Sequence, residues 1–200
     1  LPICAGQFGE VFLRIEPLER GVGFEFVDQV KGGAIPGVFM AAVEKGVRQA
    51  LDEGVIAGYP LVDLRVTVYD GKTHAVDGKE IAFVTAARKA TIDAVLKAAP
   101  SVLEPVVEVE INLPESAIGE VTGDLSARRG QVTGTLPRSH GQASVSGLVP
   151  LAELSEYSSR LKALTAGAGS FSYAFAHYSV APSTLQRQLS STHKIRDDDE

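Results

Sequence analysis

The chain has 200 residues, of which 44% are hydrophobic and 22% charged, and its formal net charge is −6. This length accommodates one domain or two small ones, and the acidic balance argues against a dedicated nucleic-acid binder, which usually carries a basic surface. Its apolar runs are short, which excludes a membrane-spanning helix of roughly 20 apolar residues. The single cysteine, Cys4, excludes an internal disulfide, and we expect it to be inert in a reducing cytoplasm.

The two ends of the chain carry little signal of their own. Residues 1–4 have no basic segment, no sustained apolar segment and no initiator methionine. We therefore expect Leu1 to mark a domain cut rather than a signal peptide. Residues 197–200 are all acidic, and such a run at a terminus is expected to be solvated.

The first hundred residues predict the element order β-β-α-β-α. Alternating apolar residues predict a strand from Gln7 to Pro17. Turn-forming residues at 18–23 predict that a second strand, at residues 24–28, pairs with the first as a hairpin. Helical spacing of apolar residues predicts a helix between Pro36 and Gly54.

The segment from Val62 to Val68 alternates apolar and polar residues and predicts the third strand. The dipeptide Asp70-Gly71 predicts a turn after it, and Asp77 predicts the N-cap of a helix reaching about residue 99, with Ile81 on its buried stripe.

This connectivity predicts a composite tip. If the hairpin turns at one end of the sheet, the start of the first strand and the loops after the second and third strands lie together at the other end. The predicted tip consists of Ala5, Gly6, Gln7, Lys31, Gly32, Gly33, Gly71, Lys72, Thr73 and His74.

The second half predicts a separate domain after a proline-containing connector at residues 101–105. We place the first domain at residues 1–100, the second at 105–181 and a tail at 182–200, in which only Leu185 and Leu189 could form a helical stripe. The order β-α-β-β-α-β is typical of a ferredoxin-like fold. In its last strand, Tyr173, Phe175 and His177 are expected on the buried face.

Several stretches resemble elongation factor G, a translational GTPase family. Residues 57–77, AGYPLVDLRVTVYDGKTHAVD, are similar to its fourth domain; GDLSARRG at 123–130, VPLAEL at 149–154 and Phe171-Ser172 are similar to its fifth. The similarity covers about residues 5–182. It implies an α+β fold of two domains, the first ribosomal-protein-like with a left-handed crossover and the second ferredoxin-like.

The resemblance also implies a function. The family inserts the end of its fourth domain into the decoding site of the small ribosomal subunit, where tip residues touch tRNA and mRNA during translocation. His74 occupies the tip-histidine position, and we expect it to contact phosphate and 2′-OH groups without reading bases. From spacing alone, an ordinary exposed loop histidine is the more frequent interpretation of His74.

The resemblance to the family's fifth domain implies a second contact, with large-subunit RNA near the GTPase centre. The residues implied are Arg128, Arg129, Lys162, Gly167 and Gly169. Ala168 replaces the arginine that the family usually carries, which weakens this expectation because phosphate-neutralising charges contribute to affinity. Arg128 and Arg129 also have a purely structural interpretation as cations at a helix C-terminus.

No enzymatic site is predicted in these residues. Lys72 follows a glycine, but a phosphate-binding loop needs another glycine at position 66, where Val66 stands. The four histidines lack companions at metal-ligand spacing, so no metal is expected. GTP and Mg²⁺ are expected in missing N-terminal domains.

The function hypothesis is therefore the ribosome-contacting part of a monomeric cytoplasmic translocase, with no membrane partner. A ribosome-protection, rescue or recycling relative is the alternative, because Gly78-Lys79 replaces the usual paired serines and indicates a paralogue. A stand-alone two-domain binding module is a third hypothesis.

Overall fold

The computed structural model describes residues 7–193. The chain folds into two compact units, of which Leu103–Ala181 forms one; the chain up to Val102, together with the segment from Pro182, forms the other. The expectations for Cys4, Ala5, Gly6 and residues 194–200 concern residues outside the described range.

Up to Val102, the first unit is a three-stranded sheet with two α-helices, in the predicted order β-β-α-β-α. Its elements are β1 (Gly9–Pro17), β2 (Phe24–Asp28), α1 (Met40–Glu53), β3 (Leu64–Thr73) and α2 (Glu80–Lys97). The strand order is β1-β3-β2, with β1 antiparallel and β2 parallel to the central strand β3. The handedness of the crossover from β2 through α1 to β3 stays a prediction.

The predicted hairpin of the first two strands is wrong, because β1 and β2 each pair with β3 instead. The loop between them passes the start of β3, where the Asp63 carboxylate accepts hydrogen bonds from the backbone N–H groups of Gly21 and Gly23 at 3.0 and 2.9 Å. Strand pairing is decided by this distant anchor and by burial of β3, neither of which the local turn residues reveal.

A tightly packed core supports the first unit. Val66 and Val68 of β3, Val47 of α1 and Phe83 of α2 are fully buried. A Cβ added to Gly46 of α1 would collide with the Val84 carbonyl oxygen, so α1 and α2 pack backbone against backbone. Close packing of this kind resists deformation and gives the unit a stiff base.

The predicted turn at Asp70-Gly71 is also wrong, since β3 continues through both residues to Thr73. Gly71 pairs with Val11 of β1, and the register shifts between Phe12 and Leu13. Glycine is required here for close approach rather than for a turn, because a Cβ at this position would collide with the Glu10 carbonyl oxygen.

The start of the following helix differs from the prediction as well. Helix α2 begins at Glu80, and its N-cap residue is Lys79, which makes no side-chain capping bond. Asp77 is therefore not the N-cap, and Ile81 is exposed rather than part of the buried stripe. The Asp77 side chain contacts His74 instead, as described below.

The second unit has the predicted ferredoxin-like order. Its elements are β4 (Leu103–Pro114), α3 (Ile118–Ala127), β5 (Gln131–Pro137), β6 (Gln142–Pro150), α4 (Tyr157–Leu164) and β7 (Ser170–Val180). The strand order is β5-β6-β4-β7 and all neighbours are antiparallel. Apolar residues of β4 and β6 pack with Val121, Leu125, Tyr157 and Leu161 in one core.

The prediction that Tyr173, Phe175 and His177 are buried is wrong. The side chains of Tyr173 and Phe175 are 55% and 59% exposed, and His177 is exposed as well. Their strand, β7, lies at the sheet edge and has a neighbour on one side only. Alternation in sequence gives the face of a strand but does not distinguish an edge strand from a central one.

The segment predicted as a tail contains a helix, α5 (Ser183–Thr192), which belongs to the first unit. The Gln186 side chain accepts a hydrogen bond from the backbone N–H of Val102 at 3.1 Å, and His193 Nε2 lies 3.2 Å from the Gly54 carbonyl oxygen. Across residues 7–193, none of the helices combines the length and apolarity that a membrane crossing requires.

Candidate functional site

Three separate segments meet at one end of the first unit. Gly9 at the start of β1 pairs with Thr73 at the end of β3, which places the residues before β1 beside the loop after β3. The Phe8 N–H donates to the Asp77 carbonyl oxygen at 2.8 Å, and Lys72 forms an ion pair with Glu10 at 3.3 Å. These contacts join the first two segments of the predicted tip.

The loop after β2 supplies the third segment. The Gln29 N–H donates to the Val68 carbonyl oxygen at 2.8 Å. This bond continues the parallel pairing of β2 towards the end of β3 at which Thr73 lies. Ile35 is buried in this loop, and a Cβ added to Gly71 would lie 2.6 Å from Ile35 Cδ1. Ile35 and Gly71 therefore form the buried floor of the tip.

The surface of the tip is polar and exposed. Lys31, Gly32 and Gly33 are exposed, and both glycines adopt positive φ angles of 66° and 71° that other residues rarely adopt. Lys72, Thr73 and His74 are exposed on the opposite segment. The structure thus brings together the described tip residues from Gln7 to His74, with Gly71 buried beneath them.

His74 is the most specifically held polar group of the tip. Its Nδ1 lies 3.1 Å from Asp77 Oδ2 and 3.4 Å from the backbone nitrogens of Val76 and Asp77. Its ring makes an edge contact with Phe8, with ring centroids 6.5 Å apart. The imidazole is therefore exposed but oriented, as a group that contacts a ligand must be.

The chemistry available at the tip is hydrogen bonding with charges of both signs, since Lys72 is paired with Glu10 and His74 with Asp77. Lys31 and Lys72 supply cations, Thr73 a hydroxyl and His74 a ring that can donate or accept. Within residues 7–193, no group of three or more His, Cys, Asp or Glu residues is arranged so that it could hold a metal ion. Such a surface suits contact with phosphate and ribose hydroxyl groups.

The second unit places Arg128 and Arg129 in an intramolecular network. Arg128 donates to Asp124 Oδ2 at 2.8 Å and to the Glu153 carbonyl oxygen at 2.7 Å, and its guanidinium lies over the Tyr157 ring. Burial alone would raise the pKa of Asp124, but hydrogen bonds from Arg128 and Arg160 and their charges lower it below its ordinary value. Burial raises the pKa of Tyr157 to about 12, and the Asp124 charge adds to this.

Arg129 is engaged in the same way. Its guanidinium donates to both carboxylate oxygens of Glu104, at 2.7 and 3.0 Å, and to Glu153 at 2.8 Å. The hydrogen bond with Glu104 raises the pKa of Arg129, so it stays charged. Its backbone has a φ of 59°, at a helix end where glycine is usual. These contacts account for both arginines structurally, and their contact with RNA stays a prediction.

The remaining residues predicted for the second unit lie around the end of α4. Lys162 is exposed, and its carbonyl oxygen accepts a hydrogen bond from the Gly167 N–H at 2.8 Å. Gly167 has a φ of 86°, and a Cβ on Gly169 would lie 2.7 Å from Thr165 Oγ1. Both glycines are thus needed to close the helix end, whatever Lys162 contacts.

Sequence reasoning missed three residues of the tip: Phe8, Ile35 and Asp77. Phe8 borders Gln7 in sequence, and Asp77 follows His74 by three residues, a spacing that permits a side-chain contact across a turn. Ile35 had no local signal, because its role depends on Gly71, which is 36 residues away in sequence.

Comparisons with known proteins agree with this architecture. Residues 4–99 match the family model "Elongation factor G, domain IV", and residues 101–189 match "Elongation factor G C-terminus". The chain is 44% identical over 184 residues to an elongation factor G-like protein of Thermotoga maritima and 45% identical to elongation factor G of Aquifex pyrophilus. Both alignments cover 92% of this chain.

A solved structure from Thermus thermophilus matches 92% of this chain with a TM-score of 0.78 at 36% identity, and this match covers 27% of the solved chain. The chain likewise spans only 27% and 26% of the two curated relatives. With two consecutive family models covering nearly its whole length, the chain belongs to the elongation factor G family and contains that family's domain IV and C-terminal domain.

Proposed function

We propose that the chain is the ribosome-contacting part of a translation factor that promotes movement of tRNA and mRNA through the ribosome. The composite tip of the first unit, residues 7–8, 31–35 and 71–77, enters the decoding site of the small subunit and contacts tRNA and mRNA. The observation that carries this proposal is the convergence of three distant segments on an exposed, oriented His74.

Translocation sets the requirements for the chemistry of the tip. A factor that moves every codon must contact RNA without base-specific readout, which favours groups that bind phosphate and ribose. The tip offers two lysines, a hydroxyl, an imidazole and backbone N–H groups at positive-φ glycines. The backbone packing of α1 against α2 provides the stiffness that an inserted arm needs.

Membership of the elongation factor G family supports three further parts of the proposal. The second unit rests near the GTPase centre of the large subunit, where Lys162 is exposed and Arg129, also exposed, is held by Glu104 and Glu153. Hydrolysis of GTP with Mg²⁺ belongs to parts of such a factor outside this chain. The protein acts as a monomer in the cytoplasm.

The experiment uses a chimaeric factor in which this chain replaces the matching quarter of Aquifex pyrophilus elongation factor G. The change His74→Ala should slow translocation about fivefold, since a net hydrogen bond contributes about 1 kcal/mol. Ribosome-stimulated GTP hydrolysis should stay unchanged. The change His177→Ala, at an exposed histidine on β7, is the matched control and should leave both rates unchanged.

An unchanged translocation rate in the His74→Ala chimaera would remove His74 from the mechanism. The alternative is a ribosome-protection, rescue or recycling factor, and the observation that favours it is the Gly78-Lys79 pair beside the tip. For such a factor, the unmodified chimaera should bind ribosomes but fail to translocate.

A further inference from the structure

The turn that carries His74 is closed by backbone hydrogen bonds. The Gly78 N–H donates to the His74 carbonyl oxygen at 2.9 Å, and the Phe8 N–H donates to the Asp77 carbonyl oxygen at 2.8 Å. A Cβ on Gly78 would lie 2.6 Å from Thr73 Oγ1, so the turn is also tightly packed. The backbone spacing of His74 and Asp77 is therefore held by these hydrogen bonds, which keeps their side chains on one turn.

Two hydrogen-bond arrangements compete for His74 Nδ1. In the first, a protonated Nδ1 donates to Asp77 Oδ2 at 3.1 Å; in the second, an unprotonated Nδ1 accepts from the backbone N–H groups of Val76 and Asp77 at 3.4 Å. The two exclude each other in a neutral ring. The first is shorter and involves a charged acceptor, and such bonds are roughly twice as strong as neutral ones.

We propose that Asp77 is a positioning residue that holds the neutral His74 ring in the Nδ1–H tautomer. The partner of one ring nitrogen fixes the proton of the other, so Nε2 carries a lone pair and acts as an acceptor. An acceptor pairs with a ribose 2′-OH, which can donate, and not with an ionised phosphate, which cannot. This choice of RNA group rests on the proposed function of the tip.

The tautomer is measured directly on the 200-residue chain by NMR of the imidazole nitrogens, at a pH where the ring is neutral. The unmodified chain should have its proton on Nδ1, and Asp77→Ala should move it to Nε2. Asp93→Ala is the matched control, because Asp93 is an exposed carboxylate of α2 paired with Lys97. It should leave the His74 signals unchanged.

A second variant, Asp77→Asn, keeps the size of the side chain and guards against misfolding of Asp77→Ala. Its amide oxygen can accept but is uncharged, so the Nδ1–H population should fall between those of the other two proteins. A proton on Nε2 in the unmodified chain, unaffected by either variant, would overturn the proposal.

The chimaeric factor tests the link to RNA separately. Asp77→Ala should slow translocation as His74→Ala does, and the double variant should lose no more, because both changes remove one interaction. Slow translocation by His74→Ala with a normal rate for Asp77→Ala would overturn the positioning role. Normal rates for both, with the expected NMR result, would overturn the RNA contact while Asp77 still sets the tautomer.

Discussion

The two units of this chain differ in how many hydrogen bonds their candidate RNA-contact groups already make within the chain. In the second unit, Arg128 and Arg129 donate to carboxylates and a carbonyl of their own unit, and Arg129 does so with all three of its guanidinium nitrogens. In the tip of the first unit, Lys31, Thr73 and His74 are exposed, and a buried glycine lies beneath them. An arginine pair in a family motif is thus a weaker indication of an RNA contact than an exposed, oriented histidine.

The largest predicted effect is at Gly71, in the buried floor of the tip. We expect Gly71→Val to destabilise the chain by about 3 kcal/mol, since overpacking a close backbone approach typically costs about 1–3 kcal/mol. The added atoms meet the Glu10 carbonyl oxygen and Ile35, and backbone cannot move aside as a flexible side chain would. Urea unfolding at pH 7 measures the change.

The control for this variant is Gly119→Ala on helix α3, where a Cβ meets nothing within 4 Å. Removing a helical glycine should leave stability unchanged or raise it by up to about 1 kcal/mol. If Gly71→Val were as stable as the unmodified chain, the tip would not be assembled around Gly71.

The network of the second unit is tested by Glu104→Ala. Glu104 is buried and accepts two hydrogen bonds from Arg129, so we expect a loss of about 2 kcal/mol, in the range for hydrogen bonds to charged groups. Asp93→Ala, which breaks an exposed ion pair with Lys97, should cost less than about 0.5 kcal/mol. Equal losses in these two variants would show that the network is not structural.

A smaller effect is expected from Asp124, and it depends on pH. Because the pKa of Asp124 is lowered in the folded chain, its ionised form stabilises the fold above the ordinary value of 3.8, and this contribution is lost as pH falls through the folded pKa. The stability difference between the unmodified chain and Asp124→Asn should therefore be largest above the ordinary pKa of 3.8 and shrink as the pH falls below it. Urea unfolding at pH values on both sides of that pKa measures it, and a constant difference would contradict the assigned role.

Local sequence patterns predicted the element order up to β7, because alternation and helical spacing are properties of neighbouring residues, and they left α5 in a predicted tail. They did not predict the partner of β1, which depends on the burial of β3 and on Asp63 far along the chain. Asp70-Gly71 has the composition of a turn, yet Gly71 is needed for contact with Ile35. The exposure of Tyr173 and Phe175 follows from the edge position of β7, which alternation does not encode.

The candidate site was predicted more completely than the strand pairing. The segments that contain Gln7, Lys31 and His74 lie at one end of the sheet, because β1 runs antiparallel and β2 parallel to β3, and their contact with RNA stays a prediction. Asp77 was assigned to helix capping, since an aspartate before a helix is a common cap. Only its distance from His74 indicates the other role.

The most direct test of the tip's role is photo-crosslinking on the ribosome. A photoreactive residue is placed in the chimaeric factor at Thr73, beside His74, or at Val22, which is exposed in the loop at the opposite end of the same sheet. We expect the Thr73 probe to crosslink to tRNA, mRNA or small-subunit RNA of the decoding site and the Val22 probe to crosslink to none of them. Crosslinks to these RNAs from Val22 and none from Thr73 would contradict the claim that this tip meets RNA.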